Sequence, residues 1–392
     1  MRHLSWGIVM AVAACSDPPE MTPRPLDSGV VRLQDAGRSA LPDAVATRDA
    51  GGSVVEDGGD VSDAGAEVDA GVTPPADAGA PPPPARFKRF VAIGDVGEGN
   101  AKQHRVAESI ERVCAELGGC DFGMLLGDNH YDSGGEGADD PLWARHFELP
   151  YGGVVHECPG FDGAEASHDL GFPFYAVLGN HDLGGDGLGL DLDIFKADHQ
   201  IAYGQRNPQW IMPNRYYQQD LDPVYLLGLN TTAMFFDRAD DQAREVRQWI
   251  DDAPEDRWSI AFGHHPYISN GPHGNAGDYE RIPEILQRIT PNWTYFRGAY
   301  VQRFMEQEIC ERVDVYLAGH DHSRQDLGER CGTQFLVSGA GAKTTDLRDG
   351  DNQVPWEADT EGFLLMEATP EQLVFRMYDI DGVLEHERVV RR

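Results

Sequence analysis

Five short apolar runs, each ending in a glycine that is followed by Asp, Asn or His, constrain the fold of this chain more than any other feature. The runs are 87–93 before Gly94-Asp95, 121–126 before Gly127-Asp128, 173–178 before Gly179-Asn180, 258–262 before Gly263-His264 and 313–318 before Gly319-His320. Each has the length and composition of a buried β-strand. Since helical patterns lie between several of them, at 101–117, 240–251 and 300–312, we predict an α/β core with a mainly parallel sheet.

The polar residues after the runs predict a metal centre. The carboxyl ends of parallel strands meet at one edge of a sheet, where open α/β folds place their sites. The glycines would supply a left-handed or tightly packed position where the chain leaves each strand. The donors are oxygen and imidazole groups with no thiolate, which suits Fe, Zn or Mn, and two close cations need a bridging carboxylate.

The ordered series resembles the calcineurin-like metallophosphoesterase superfamily over about residues 87–345, including Ser338-Gly339-Ala340-Gly341 after the last motif. The segment Asp128-Asn129-His130-Tyr131 narrows the resemblance to the purple acid phosphatases, closest to the small tartrate-resistant type. The resemblance implies an α/β metallophosphoesterase fold: a four-layer αββα sandwich with two mixed β-sheets.

The family's ligand roles can be carried onto seven positions of this sequence. The resemblance implies one site for Fe(III) and one for a divalent ion (Fe, Zn or Mn), with Asp128 as the bridge. The Fe(III) ligands would be Asp95, Asp128, Tyr131 and His322, and the divalent ion would be held by Asp128, Asn180, His264 and His320.

Two further histidines match the family's catalytic residues beside the substrate. His181 and His273 would orient the phosphate or protonate the leaving alkoxide. His265 is not expected to be a ligand, and His130 is expected to line the site. Between Tyr131 and Asn180 the chain is longer than in small family members. This Gly-rich insert (152–171) and the loop 184–189 are predicted to border the site.

The resulting prediction is a dinuclear metal-dependent acid phosphatase, in which a metal-bound hydroxide attacks phosphate monoesters directly. An acidic pH optimum is expected, because Fe(III) acidifies a bound water more than Zn does. One alternative keeps the site but changes the substrate to a phosphodiester or a nucleotide. Another is a non-catalytic surface protein that binds metal and phosphate, and redox chemistry at an iron pair is a third.

The first 15 residues have the pattern of a bacterial lipoprotein signal. An apolar run at 4–14 ends in Val12-Ala13-Ala14-Cys15, which resembles a lipobox, with an ordinary secretory signal as the alternative. Because Ser16 rather than Asp follows Cys15, we predict export and lipid anchoring to the outer membrane or cell surface.

Residues 16–86 are predicted to be a disordered tether that leads to a catalytic domain at 87–392. The segment contains Asp-Ala-Gly five times, has four consecutive prolines near its end and contains no aromatic residue. Such a composition cannot bury enough apolar surface to offset chain entropy.

Charge limits the partners of the chain. With 66 Asp and Glu against 32 Lys and Arg, the formal net charge is −34. A nucleic-acid partner is therefore not expected, nor is a bare anionic membrane surface, so the membrane contact would be the lipid at Cys15. A small phosphate ester is the expected partner, and the oligomeric state stays open.

Six cysteines include Cys15, which leaves five in an exported domain. Cys114 and Cys120 lie around a helix end and a strand start, and Cys310 and Cys331 flank a strand-turn region. We predict two disulfides with Cys158 unpaired, although sequence does not determine connectivity.

Overall fold

Two mixed seven-stranded β-sheets carry the described part of the chain. The computed structural model describes residues 86–152, 168–184, 193–235, 239–281, 297–348 and 352–392. The predicted signal, nearly all of the predicted tether, Cys158, most of the Gly-rich insert and most of the loop 184–189 lie outside these ranges.

The described strands are numbered in chain order. They are β1 (Lys88–Ile93), β2 (Phe122–Leu125), β3 (Phe174–Ala176), β4 (Trp210–Ile211), β5 (Tyr217–Leu221), β6 (Val224–Gly228), β7 (Trp258–Phe262), β8 (Val315–Ala318), β9 (Arg324–Arg330), β10 (Thr333–Ser338), β11 (Trp356–Ala358), β12 (Gly362–Ala368), β13 (Gln372–Asp379) and β14 (Leu384–Arg391). The first sheet has the order β14-β13-β12-β1-β2-β3-β4, and the second has the order β11-β9-β10-β8-β7-β6-β5. The strands β1 to β4 are parallel, as are β10, β8, β7 and β6.

Helices lie between the strands. The α-helices are α1 (Ala101–Glu116), α2 (Lys196–Gly204), α3 (Thr231–Met234), α4 (Asp240–Asp252) and α5 (Ala299–Phe304). Single 3₁₀ turns cover His181–Leu183 and Tyr279–Arg281, and π-helical turns cover Ala144–Glu148 and Met305–Ile309. The side chain of Asn100 caps α1 by accepting from the backbone N–H groups of Lys102 and Gln103. Within the described ranges, no helix combines the length and apolar character needed to cross a membrane.

Strand periodicity separates two hydrophobic layers. Val224 and Leu226 of β6 pack with the first sheet, whereas their neighbours Tyr225 and Leu227 face α3, α4 and α5. The same alternation holds along β7, β8 and β10 because successive strand side chains point to opposite faces. On the other side, α1 buries Val106 against the first sheet. The order of layers is therefore helix, sheet, sheet, helix.

The predicted fold class is confirmed. All five predicted strands are present, the prediction at 258–262 agrees with β7, and the other four strands are shorter than predicted. Sequence analysis did not predict the antiparallel strands β11 to β14, three of which extend the first sheet beyond β1.

Both predicted disulfides are present. Cys114 pairs with Cys120 and Cys310 pairs with Cys331, and no described cysteine is free. Cys114–Cys120 closes the short connection between α1 and β2, whereas Cys310–Cys331 joins the residue after a π-helical turn to the turn between β9 and β10. Both bonds lie near the amino-terminal end of a strand, opposite the predicted metal residues.

Candidate metal centre

The seven predicted metal residues all follow the carboxyl ends of strands. Asp95 follows β1, Asp128 and Tyr131 follow β2, Asn180 follows β3, His264 follows β7, and His320 and His322 follow β8. The strands β1, β2 and β3 are neighbours in the first sheet, and β7 and β8 are neighbours in the second. The two sheets therefore bring their ligand-type side chains to one shared edge.

The backbone of this edge is strained at the polar residues themselves. Asp95, Asp128 and His320 have φ angles of 58°, 53° and 68°, in the left-handed region that non-glycine residues rarely occupy. Close packing accounts for two of the glycines that precede these polar residues. A Cβ atom on Gly179 would lie 2.1 Å from Asp128 Oδ1, and one on Gly319 would lie 2.6 Å from Asp95 Oδ2.

One group of donor atoms surrounds the phenol oxygen of Tyr131. This oxygen donates to Asp128 Oδ2 at 2.8 Å and lies 3.0 Å from Asp95 Oδ1. The Nε2 atom of His322 is 3.4 Å from the same phenol oxygen and 3.5 Å from Asp95 Oδ1. Four side chains from three different strands thus present oxygen and nitrogen atoms to one small volume.

A second group surrounds Nε2 of His264. This atom lies 3.0 Å from Asn180 Oδ1, 3.2 Å from His320 Nδ1 and 3.4 Å from Asp128 Oδ2. The other ring nitrogen, Nδ1, donates to the carbonyl of Leu126 at 2.9 Å, which fixes the ring and directs Nε2 inward. Asp128 Oδ2 belongs to both groups, as a bridging carboxylate must.

The electrostatics of the two groups favour a bound cation. Asp95 and Asp128 are 0% and 2% exposed, and within the described residues neither forms an ion pair with a lysine or arginine. Burial would raise the pKa of Asp128, but His264 lowers it below its usual range. Burial would lower the pKa of His264, but Asp128 outweighs it and raises that pKa to about 9.

The negative charges of these carboxylates also act on the phenol of Tyr131. Burial, together with the charges of Asp128 and Asp95, raises the pKa of Tyr131 well above its usual value. Buried carboxylates need a compensating positive charge, and a cation would supply it. The donor set of carboxylate, phenol, amide and imidazole fits Fe, Zn or Mn.

His181 lies beside the first group. Its backbone N–H donates to Asp128 Oδ1 at 3.0 Å, and its ring lies 4.5 Å from that of Tyr131. Its Nδ1 donates to the carbonyl of Asp132 at 2.5 Å, so Nε2 remains available for other contacts.

His273 lies beside the second group. Its ring stacks on that of His320 at 4.1 Å, and its Nδ1 is 2.5 Å from Glu280 Oε1. Its backbone N–H donates to Asp321 Oδ1 at 3.0 Å. Burial would lower the pKa of His273, but Glu280 and Asp321 outweigh it and raise that pKa. Glu280 was not predicted as a site residue, because it lies outside the sequence motifs.

One expectation about a neighbouring histidine is wrong, since His130 does not line the site. It is fully buried against Trp143, with a ring separation of 4.3 Å, and its Nδ1 lies 3.1 Å from His146 Nδ1. Burial lowers the pKa of His130 to about 3. In the turn after β2, the side chain of Tyr131 points into the site, whereas that of the adjacent His130 points into the core.

His265 borders the second group, since one of its ring nitrogens lies within 4.8 Å of donor atoms of His264 and His320. Its Nδ1 pairs with Thr231 Oγ1 at 2.9 Å, and its ring packs 4.5 Å from Phe235. The ring also lies 4.4 Å from that of His320.

Sequence analysis did not assign a role to Asp182, the last residue of Gly179-Asn180-His181-Asp182. Its buried carboxylate accepts from the backbone N–H groups of Asn129 at 2.9 Å, His130 at 3.0 Å and Gly179 at 2.7 Å. It therefore joins the turn after β2 to the turn after β3. Burial and the charge of Asp128 raise the pKa of Asp182 to about 6. Its position inside this motif was the sequence signal that could have identified Asp182.

Known proteins resemble this chain over most of its described residues. The calcineurin-like phosphoesterase family matches residues 88–324. Purple acid phosphatase 7 of Arabidopsis thaliana is 26% identical over 323 residues, which cover 76% of this chain and 84% of that protein. Tartrate-resistant acid phosphatase type 5 of Rattus norvegicus is 27% identical over 285 residues, which cover 66% of this chain and 73% of that protein.

A similar fold occurs in a solved structure, GAP50, the anchor in the inner membrane complex of Plasmodium. It matches with a TM-score of 0.56 and 19% identity, and covers 78% of this chain and 89% of that one. The family match spans most of the described domain and contains all seven converging residues, ending two residues after His322. The chain therefore belongs to the calcineurin-like phosphoesterase family, and purple acid phosphatases are among its relatives.

Proposed function

We propose that this protein is a dinuclear metal-dependent acid phosphatase that hydrolyses phosphate monoesters. The observation that carries the proposal is the convergence of two donor groups on the shared carboxylate of Asp128. Its Oδ2 lies 2.8 Å from the phenol oxygen of Tyr131 and 3.4 Å from His264 Nε2. Similarity to acid phosphatases supports the same reaction class.

The two donor groups support the division of ligands that the sequence predicts. We assign Fe(III) to the first group and a divalent Fe, Zn or Mn ion to the second. The first group comprises Asp95, Asp128, Tyr131 and His322, and the second comprises Asp128, Asn180, His264 and His320. When bound, two such cations would neutralise phosphate charge and make water a nucleophile near neutral pH.

His181 and His273 are assigned to the substrate. The Nδ1 of His181 donates to the carbonyl of Asp132, which leaves Nε2 to contact a phosphate oxygen or the leaving alcohol. The raised pKa of His273 favours its protonated form, which would donate to an anionic oxygen. Because the two rings lie beside different donor groups, they would contact the phosphate from two sides.

A small, singly phosphorylated substrate fits the charge of the chain. The formal net charge of −34 would repel polyanions at low ionic strength, and we therefore place nucleic acids outside the substrate range.

The location of the enzyme is part of the proposal. The apolar run 4–14 and the following Cys15 favour export and lipid anchoring at the bacterial outer membrane or cell surface. Labelling of the full chain with a radioactive fatty acid tests this, because a Cys15→Ser variant should take up no label.

The function is tested with the purified full chain, p-nitrophenyl phosphate and bis(p-nitrophenyl) phosphate, alongside elemental analysis. Faster turnover of the monoester with about two metal ions per chain is expected, with an acidic optimum. Preferential turnover of the diester would instead identify a phosphodiesterase. Metal binding without turnover of either compound would identify a binding protein and overturn the proposal.

A further inference from the structure

Lys343 places its ammonium group directly over the ring of Tyr131. The Nζ atom lies 3.2 Å from the ring centroid and 2.8 Å from Glu98 Oε1. The side chains of Lys343 and Glu98 are each 29% exposed, so this cation is partly shielded from water. The family resemblance assigns no role to either residue.

The backbone around Lys343 is fixed against the metal-site turns. The carbonyl of Ala342 accepts from Asn100 Nδ2 at 3.0 Å, and the N–H of Thr345 donates to the carbonyl of His322 at 3.0 Å. Lys343 thus lies between two residues held by hydrogen bonds, and one of them, Thr345, bonds to the backbone of the proposed ligand His322.

The glycine segment before Lys343 makes this approach possible. Gly341 donates its N–H to the carbonyl of Gly94 at 3.2 Å. A Cβ atom at Gly341 would lie 2.7 Å from that carbonyl oxygen and 2.6 Å from a methyl carbon of Val96. A larger residue would push the loop, and the lysine with it, away from Tyr131.

A surface ion pair with Glu98 alone does not account for the position of the ammonium group. Such a pair contributes little and needs no aromatic ring. A cation over an aromatic face is attracted by the π electrons, more strongly when water is partly excluded. That attraction draws electron density from the ring and therefore from its phenol oxygen.

We propose that Lys343 is a positioning residue that weakens the Tyr131 oxygen as an electron donor to a bound Fe(III) ion. The inference rests on the proposed function, since it requires Tyr131 to be an iron ligand. Its consequence is spectroscopic: the positive charge lowers the energy of the filled phenolate orbitals, and a phenolate-to-iron absorption band moves to higher energy.

The test is the visible spectrum of the full chain loaded with iron, compared among the wild type and three variants. Lys343→Met keeps an unbranched side chain of nearly the same length but removes the charge, and its band should move to longer wavelength. Lys343→Arg keeps the charge and should keep the band near the wild-type position. Lys102→Met removes a lysine of α1 that pairs with Glu361, and should leave the band unchanged.

The outcomes separate this proposal from the phosphatase assignment. Loss of a purely structural contact would lower iron content or thermal stability without moving the band maximum. An unchanged or shorter-wavelength band in iron-replete Lys343→Met overturns the role of Lys343, and an equal shift in Lys102→Met does the same. A wild type that binds iron without a visible band also overturns it, whereas phosphatase activity of that protein would leave the proposed function standing.

Discussion

The phenol oxygen of Tyr131 and the Oδ2 atom of Asp128 lie 2.8 Å apart, and both residues belong to the turn after β2. The left-handed backbone of Asp128, with a φ of 53°, brings the two side chains together. A single turn therefore supplies both the proposed bridging carboxylate and the phenol that distinguishes the purple acid phosphatases within the wider superfamily.

Replacing Tyr131 by Phe should abolish the visible absorption of the iron-loaded protein without unfolding it. The ring and its packing against His181 remain, and only the oxygen is lost. Absorption spectra with elemental analysis check this. Tyr216→Phe is the matched control, because its hydroxyl contacts Glu245 and no proposed ligand. A retained band in Tyr131→Phe would show that another residue produces the colour.

Replacing His181 by Asn should lower kcat by roughly 10²–10⁴-fold and leave the metal content unchanged, because His181 adjoins the donor atoms without belonging to either group. His199→Asn provides the control, since this histidine also directs Nδ1 to a backbone carbonyl, that of Gly135 at 3.0 Å. Steady-state kinetics measure kcat, and elemental analysis measures the metal content, in both variants. Loss of metal in His181→Asn would mean that His181 supports the metal centre instead.

The sequence predicts the fold well because the five strands that precede the proposed donor residues depend on local patterns. Each apolar run of strand length is followed by a glycine and a polar residue. Because the carboxyl ends of parallel strands meet at one edge of a sheet, these polar residues were expected to lie close together. Contacts between distant segments were not predictable in this way. Glu280 reaches His273 from a turn without a motif, and His130 points into the core because the turn after β2 alternates its side chains.

Replacing Asp182 by Ala should destabilise the protein by at least about 3 kcal/mol, because three backbone N–H groups lose their acceptor in a buried site. Asp182→Asn keeps one acceptor oxygen and should lie between this variant and the wild type. Urea unfolding measures the change. Asp198→Ala removes an exposed partner of Arg215 and should cost at most about 1 kcal/mol. Equal losses for the two alanine variants would contradict a special role for Asp182.

Removing metal should lower the stability of the wild type. Without a cation, the ion-pair partners that the described residues offer to buried Asp95 and Asp128 are histidines. A metal at a hundred times its dissociation constant stabilises the folded state by about 3 kcal/mol, which chelation would remove. Thermal unfolding before and after chelation measures this loss, and added metal should reverse it. An unchanged unfolding temperature, with metal shown to be absent, would argue against ion binding by these carboxylates.

Removing the disulfide Cys310–Cys331 should cost more stability than removing Cys114–Cys120. The first spans 21 residues of sequence and the second spans 6, and a longer closed loop restricts the unfolded chain more. The chain-entropy relation gives about 3 kcal/mol for the longer loop and about 2 kcal/mol for the shorter one. Paired Cys→Ala variants unfolded in urea test this difference of about 1 kcal/mol. Because Cys114 is buried and its pair joins the end of α1 to the start of β2, a greater loss in the Cys114–Cys120 variant would show that packing at this junction outweighs loop entropy.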